Sequence, residues 1–119
     1  MFKNIVLICV FLFLVTACSD DIVLSRLPND AVILAFGDSL TLGNGARNEE
    51  SYPAVLARLS GREVINAGVS GEESAAGLER LPALLEQHKP KLMILCHGGN
   101  DFLHKKDADK LEANVRAMI

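Results

Sequence analysis

The sequence predicts an α/β fold in which helices cover both faces of a parallel sheet. Short apolar segments near residues 31–37, 63–67 and 91–97 alternate with segments of helical periodicity. A short apolar run that stops at a Gly is typical of a strand buried on both faces. Alternation of strands with helices favours parallel strands joined by right-handed crossovers. We therefore expect three parallel strands, each followed by helical structure.

Each helix is predicted from its own pattern. Pro53 suits a first helical turn, so a helix is expected to start there. Leucines at helical spacing predict a second helix over residues 74–88. Because Pro82 lies inside that segment, we expect either a kink or a start near Leu81. The last helix is predicted to begin near Asp107, and the turn-rich residues 41–50 are expected to form a loop.

Composition and charge exclude several functions. The chain has 119 residues, which is enough for one small domain, and its net charge is -3. An acidic chain without clustered Lys and Arg is not expected to bind nucleic acid. There is no Gly-Lys-Ser/Thr phosphate loop, and His97, Asp101 and His104 lack the spacing of a metal site. We therefore expect neither a metal nor another cofactor.

The first 17 residues resemble a bacterial secretory signal. Lys3 precedes residues 5–15, which carry no charge but are too few to span a membrane. Residues 15–18 resemble the lipobox of lipoproteins, which implies cleavage before Cys18 and a diacylglycerol on its sulfur. An ordinary signal peptide is the alternative. Residues 18–30 would then form a tether, and the expected location is the cell envelope, as a periplasm-facing membrane lipoprotein.

The cysteines do not predict a disulfide. Cys9 would leave with the signal and Cys18 would carry the lipid. Cys96 lies in an apolar run, where we expect a small buried hydrophobic residue. Only one thiol would therefore remain in the folded domain of residues 31–119, so no intramolecular bridge can form.

Polar residues and glycines follow each predicted strand. The three sequences are Gly37-Asp38-Ser39-Leu40, Asn66-Ala67-Gly68 and Gly98-Gly99-Asn100-Asp101. Because parallel strands end at the same edge of a sheet, these groups should lie close together. Acyl transfer needs a nucleophile and hydrogen-bond donors of this kind. The simpler interpretation is that Asp38 and Ser39 cap a helix and that Gly68 and Asn100 are turn residues.

These motifs resemble those of the SGNH, or GDSL, hydrolases, most closely the thioesterase I, lysophospholipase and arylesterase branch. Further matches are Ser70-Gly71-Glu72, Gly77-Leu78 and Arg80-Leu81-Pro82-Ala83-Leu84-Leu85. The resemblance implies a flavodoxin-like three-layer fold, and we expect the strand order 2-1-3. It also implies hydrolysis of small acyl esters or thioesters. Ser39 would be the nucleophile, and its own N–H, the Gly68 N–H and the Asn100 side chain would stabilise the oxyanion.

The sequence departs from the family pattern at two points. His97 stands where this branch usually has an apolar residue, and we expect it in the core or at the rim. The family's Asp-x-x-His motif is not found beyond Asp101. Asp101-Phe102-Leu103-His104 matches the pattern, but it directly follows Asn100 and is not placed where the family carries its catalytic Asp and His. We therefore interpret the chain as the N-terminal part of a longer hydrolase, inactive by itself. A non-catalytic, flavodoxin-like binding module is the alternative.

Overall fold

A parallel three-stranded sheet forms the centre of the molecule. The computed structural model describes residues 25–119, so the predicted signal and Cys18 lie outside the described residues. The strands are β1 (Ile33–Gly37), β2 (Val64–Gly68) and β3 (Leu92–Cys96), in the spatial order β2-β1-β3. Both pairings are parallel. The predicted fold class and strand order are confirmed, with strand ends within one or two residues of the predicted positions.

Five helices accompany the sheet in the described part of the chain. They are α1 (Ser39–Leu42), α2 (Tyr52–Ser60), α3 (Ser74–His88), α4 (Gly99–Leu103) and α5 (Ala108–Ala117). A short 3-10 helix, Asn48–Glu50, precedes α2. The predicted loop over residues 41–50 is therefore partly wrong, because α1 and the 3-10 helix occupy parts of it. Helices of three to five residues are too short to show a periodic apolar pattern.

Helix α3 is continuous through Pro82, so a start near Leu81 is wrong. Pro82 is exposed, which leaves water free to solvate the carbonyl group that loses its helical donor. Leu81 is buried, and Leu78 and Leu84 pack against the same core. Burial of this leucine stripe offsets the cost of an internal proline, which is about 3 kcal/mol.

The main core lies between one face of the sheet and helices α3 and α5. Leu34 and Phe36 of β1 pack there with Leu81 of α3 and Met118, which follows α5. The side chains of Ile33 and Ala35 point to the opposite face by strand alternation and are also buried. Helices α1 and α2 pack against β2. Strand β1 is therefore enclosed on both faces.

The carboxyl ends of the three strands are level. Gly37 is paired with Gly68 of β2 and with Cys96 of β3. The loops that carry the predicted site residues therefore leave the sheet side by side. Cys96, which we expected to be buried, is only half-buried, because β3 lies at an edge of the described sheet. Within residues 25–119, none of the helices has the length and apolar character needed to cross a membrane.

Candidate active site

Ser39 is the first residue of α1 and follows the buried end of β1. The carboxylate of Asp38 accepts a hydrogen bond from the Leu40 N–H at 3.0 Å, so Asp38 caps this short helix. Asp38 is itself buried, whereas Ser39 is partly exposed and Leu40 is exposed. Asp38 is therefore the helix cap of the simpler interpretation, and Ser39 remains accessible.

Gly68 lies where the end of β2 meets α1. A Cβ atom at this position would collide with the backbone of Leu42, so only glycine permits the contact. The Gly68 N–H donates a hydrogen bond to Oδ1 of Asn66 at 3.0 Å. Its predicted use as an oxyanion donor would require this bond to break.

A tight turn over residues 69–72 follows Gly68. The Glu72 N–H donates to the Val69 carbonyl, and Gly71 adopts a φ of 74° at the third position of the turn. Ser70 is held by Nδ2 of Asn44, 2.7 Å from its hydroxyl. Gly71 is exposed, and among the described residues its N–H donates no hydrogen bond. From the sequence, Gly71 was only part of a motif, but a glycine in a turn at this edge is also a candidate donor.

Asn100 lies in the first turn of α4 and is buried. Its Nδ2 donates to the Glu72 carbonyl at 2.9 Å. Because a carbonyl only accepts, this contact fixes which end of the amide faces Glu72 and leaves the second Nδ2 proton for another acceptor. A Cβ at Gly99 would lie 3.4 Å from the Asp38 carboxylate, so α4 starts beside the turn that carries Ser39.

Asp101 caps α3 from the neighbouring loop. Its two carboxylate oxygens accept hydrogen bonds from the Ser74 N–H at 2.8 Å and from the Ser74 hydroxyl at 2.6 Å. Asn114 of α5 donates to the same hydroxyl at 2.9 Å. Asp101 therefore caps α3 and holds the Asn100 loop against it.

His97 is a core residue, one of the two positions that we expected. Its side chain is fully buried, and its Nδ1 accepts a hydrogen bond from the Gly98 N–H at 3.0 Å. The ring proton therefore lies on Nε2, which is 3.0 Å from a carboxylate oxygen of Glu72. His104 is exposed and contacts Glu73. Within residues 25–119, no histidine forms a hydrogen bond with Ser39.

Glu72, Arg80 and His97 form a buried set of contacts that we call the strand-end cluster. Arg80 of α3 binds the Glu72 carboxylate through two hydrogen bonds of 2.6 Å. Its guanidinium also donates to the carbonyl groups of Ala67 and Gly37. Burial raises the pKa of Glu72, but the hydrogen bonds with Arg80 and His97 outweigh it and lower this pKa overall.

This cluster was not predicted from the sequence, although one signal pointed to it. Arg80 lies three residues after Gly77 and next to Leu81, on the face of α3 that packs against the sheet. An arginine on the buried face of a helix requires a partner of opposite charge. The residues between 25 and 119 contain no group of three His, Cys, Asp or Glu that could hold a metal ion.

The structure is an α/β fold with a parallel sheet whose strand ends are level, and Ser39 follows its first strand. Residues 35–119 match the model of the GDSL-like Lipase/Acylhydrolase family. The chain belongs to this family.

Three similar proteins define the extent of the match. The esterase TesA of Pseudomonas aeruginosa is 34% identical over 110 residues, which are 88% of this chain and 55% of that protein. Thioesterase 1/protease 1/lysophospholipase L1 of Escherichia coli K12 is 38% identical, over 73% of this chain and 43% of that protein. The crystal structure of AlinE4, an SGNH-hydrolase family esterase, superposes with a TM-score of 0.69 at 41% identity and covers 78% of this chain and 53% of AlinE4. The chain thus spans about half the length of these relatives.

Proposed function

We propose that this chain supplies the nucleophile and the oxyanion donors of a serine hydrolase that acts on small acyl esters or thioesters. The observation that carries the proposal is that a partly exposed Ser39 lies at the same sheet edge as the Asn100 amide. One Nδ2 proton of Asn100 is bonded to the Glu72 carbonyl, and the other is left for a substrate oxygen. The relatives whose names include esterase, thioesterase and lysophospholipase support this substrate class.

In the proposed reaction, the Ser39 hydroxyl attacks the carbonyl carbon of the substrate and gives its proton to a base. The alcohol or thiol leaves, and water then hydrolyses the acyl-serine. Negative charge on the carbonyl oxygen would be stabilised by the Ser39 N–H and by Asn100. Each such donor is worth about 2.7–4 kcal/mol of the barrier.

The third donor is Gly68 or Gly71. Gly68 was the prediction from the sequence, but its N–H is bonded to Asn66. Gly71 lies between Ser70, which is tied to the segment after α1, and Glu72, which is tied to Asn100. Because its N–H is not used by any described group, Gly71 fits the role better.

The described residues do not provide a general base at Ser39. Both ring nitrogens of His97 are hydrogen-bonded, and the ring is buried away from solvent. Loss of a triad histidine can cost about a millionfold in turnover. We therefore propose that the 119-residue chain alone has little or no Ser39-dependent esterase activity.

Two proteins test this proposal with a short-chain p-nitrophenyl ester. The 119-residue chain should hydrolyse it no faster than its Ser39→Ala variant. A chimera completed with the C-terminal half of the Pseudomonas relative should be active and should lose activity with Ser39→Ala. In that chimera, Asn100→Ala should cost about a hundredfold or more in kcat, whereas the matched control Asn29→Ala, in the exposed turn before β1, should not.

Two results would contradict the proposal. Ser39-dependent turnover by the 119-residue chain near that of an intact relative would show that a base is present after all. Hydrolysis by the chimera that does not depend on Ser39 would remove the serine mechanism and leave the non-catalytic binding module.

We also propose that Cys18 is lipidated and anchors the chain to the bacterial envelope. The support is the match of residues 15–18 to the lipobox described above. More than one acyl chain is needed for stable anchoring, which lipoprotein processing supplies. A fatty-acid probe fed to an expressing bacterial host should label the chain, and Cys18→Ser should abolish the label. Equal labelling of the variant would contradict the anchor.

A further inference from the structure

The strand-end cluster contacts the ends of all three strands. Arg80 donates to the carbonyl groups of Gly37, which ends β1, and of Ala67 in β2, at 3.3 and 2.8 Å. His97 directly follows β3. All three connections meet at the carboxylate of Glu72. One buried carboxylate therefore fixes the relative positions of the three strand ends.

Stability alone is a weak explanation for such a cluster. The side chain of Glu72 is 6% exposed and that of His97 is fully buried, so both have lost nearly all contact with water. Removing charges from water costs several kcal/mol per ion, and apolar side chains of similar volume often stabilise a core equally well. The family resemblance also predicts an apolar residue at position 97. A role in placing neighbouring groups accounts better for the polar arrangement.

The cluster is connected to the candidate site through the backbone of Glu72. The side chain of this residue is held by Arg80 and His97, and its carbonyl accepts the hydrogen bond from Asn100. The same residue closes the turn that contains Gly71. A displacement of the Glu72 backbone would therefore move the acceptor of Asn100 and disturb the turn that positions the Gly71 N–H.

We propose that Glu72, Arg80 and His97 are positioning residues that set the orientation of the Asn100 amide. The inference rests on the proposed function, because an oriented amide matters only if Asn100 binds an oxyanion. With Nδ2 held at the Glu72 carbonyl, the amide presents its second N–H, and not its oxygen, to the substrate. A flipped amide would place an acceptor where negative charge develops. The cluster thus selects the productive orientation before any substrate binds.

The test follows the side-chain amide of Asn100 by NMR in the full 119-residue chain. In the unmodified chain, one Nδ2 proton should exchange with solvent more slowly than the other, by about tenfold for one hydrogen bond. Arg80→Gln should remove that difference. Arg62→Gln is the matched control, because Arg62 also donates to backbone carbonyl groups, those of Leu27 and Pro28, but far from Asn100 in the sequence and in its contacts.

A second variant covers the case in which Arg80→Gln fails to fold. His97→Leu restores the apolar residue of the family pattern and removes one anchor of Glu72. We expect a folded chain with a smaller exchange difference at Asn100. The proposal is overturned if both Nδ2 protons exchange alike in the unmodified chain, or if the folded Arg80→Gln and His97→Leu variants both keep the full difference.

Kinetics of the chimera separate the two proposals. Arg80→Gln should lower kcat by up to about a hundredfold with little change in KM, as expected for a misplaced catalytic group. Unchanged kcat in a folded Arg80→Gln chimera would overturn the positioning role while Ser39 dependence stands. If hydrolysis does not depend on Ser39 but the exchange difference follows Arg80, the proposed function fails and the cluster still orients the amide.

Discussion

Glu72 and Glu73 are neighbours in the chain and have matching partners in opposite surroundings. Each carboxylate contacts one histidine and one basic side chain. The side chain of Glu72 is 6% exposed and that of Glu73 is 31% exposed. The partners are Arg80 and His97 for Glu72, and His104 and Lys106 for Glu73.

The difference lies in what each set of charges holds together. Arg80 binds the Glu72 carboxylate through Nε and Nη2, and Nη2 also donates to two strand-end carbonyl groups. Lys106 approaches Glu73 as a single point charge on an exposed loop. Two similar ion-pair sets therefore have different consequences, because only one of them is built into the sheet.

The largest expected effect is on stability, and it compares Glu72→Ala with Glu73→Ala. Removing Glu72 leaves Arg80 and His97 without their shared partner, so the free energy of unfolding should fall by about 3 kcal/mol, the lower end for a broken buried pair. Glu73→Ala should change it far less, because its partners become solvated. Urea unfolding of both variants measures the difference. Equal losses would mean that burial does not distinguish the two glutamates.

An intermediate effect on stability is expected from Gly77→Ala, which tests how closely α3 packs against His97 of the strand-end cluster. A Cβ at Gly77 would press against the His97 ring. Overpacking of this kind costs about 1–3 kcal/mol, and the gain in helix propensity returns about 1 kcal/mol, so we expect a net loss of about 1 kcal/mol.

The same substitution in a His97→Ala background should change sign. Without the ring, the added methyl group has space, and only the gain in helix propensity remains. A thermal-unfolding double-mutant cycle therefore reports the contact directly. A loss of the same size in both backgrounds would show that Gly77 is required for a reason other than His97.

The smallest effects concern pH and salt. The pKa of Glu72 is lowered in the folded chain from its usual 4.5, so its contribution to stability is present above that value and is lost as the pH falls through the lowered pKa. Glu72→Gln should flatten this part of the stability profile. The hydrogen bonds of His104 and Lys106 lower the pKa of Glu73 in the same direction.

Salt should distinguish the contributions of Glu72 and Glu73 to the pH dependence of stability. About 1 M NaCl reduces the screening length to about 3 Å, which weakens exposed pairs far more than buried ones. The contribution of Glu73 should therefore disappear at high salt while that of Glu72 persists. Equal salt sensitivity of both contributions would contradict the contrast between the buried contacts of Glu72 and the more exposed contacts of Glu73. Unfolding midpoints at acidic and neutral pH, with and without salt, give the measurement.

Most of the fold was predictable from local patterns. The apolar run before Gly37 and the β-branched segment around Ile65 identify strands by composition alone, and their alternation with helices implies a parallel sheet. The predicted range of α3 was right, and only the alternative start near Leu81 was wrong, because the sequence does not show that Pro82 faces solvent. Helix α4 was missed and α1 entered only through the simpler interpretation of Asp38 as a cap, since a single turn depends on its capping contacts and not on periodicity.

The candidate site was predictable only as a set of residues. Motifs place Ser39 and Asn100 at the strand ends, and the structure puts their loops side by side. The bond between the Gly68 N–H and Asn66 was not predictable, because a side chain that folds back on its own strand leaves no sequence pattern. The pairing of Glu72 with Arg80 and His97 joins three separate segments and depends on the complete tertiary packing.

The level ends of the strands make the site sensitive to registry. A two-residue slip of β2 would keep its apolar residues on the same face, so hydrophobic burial alone would not oppose it. The slip would carry its loop about 6.6 Å along the sheet and separate the turn at Gly71 from Asn100. The close contact of Gly68 with the Leu42 backbone exists at one alignment, since other residues of β2 bear a Cβ. The glycine that ends β2 therefore specifies the strand register, because a slipped β2 would place a Cβ against the Leu42 backbone.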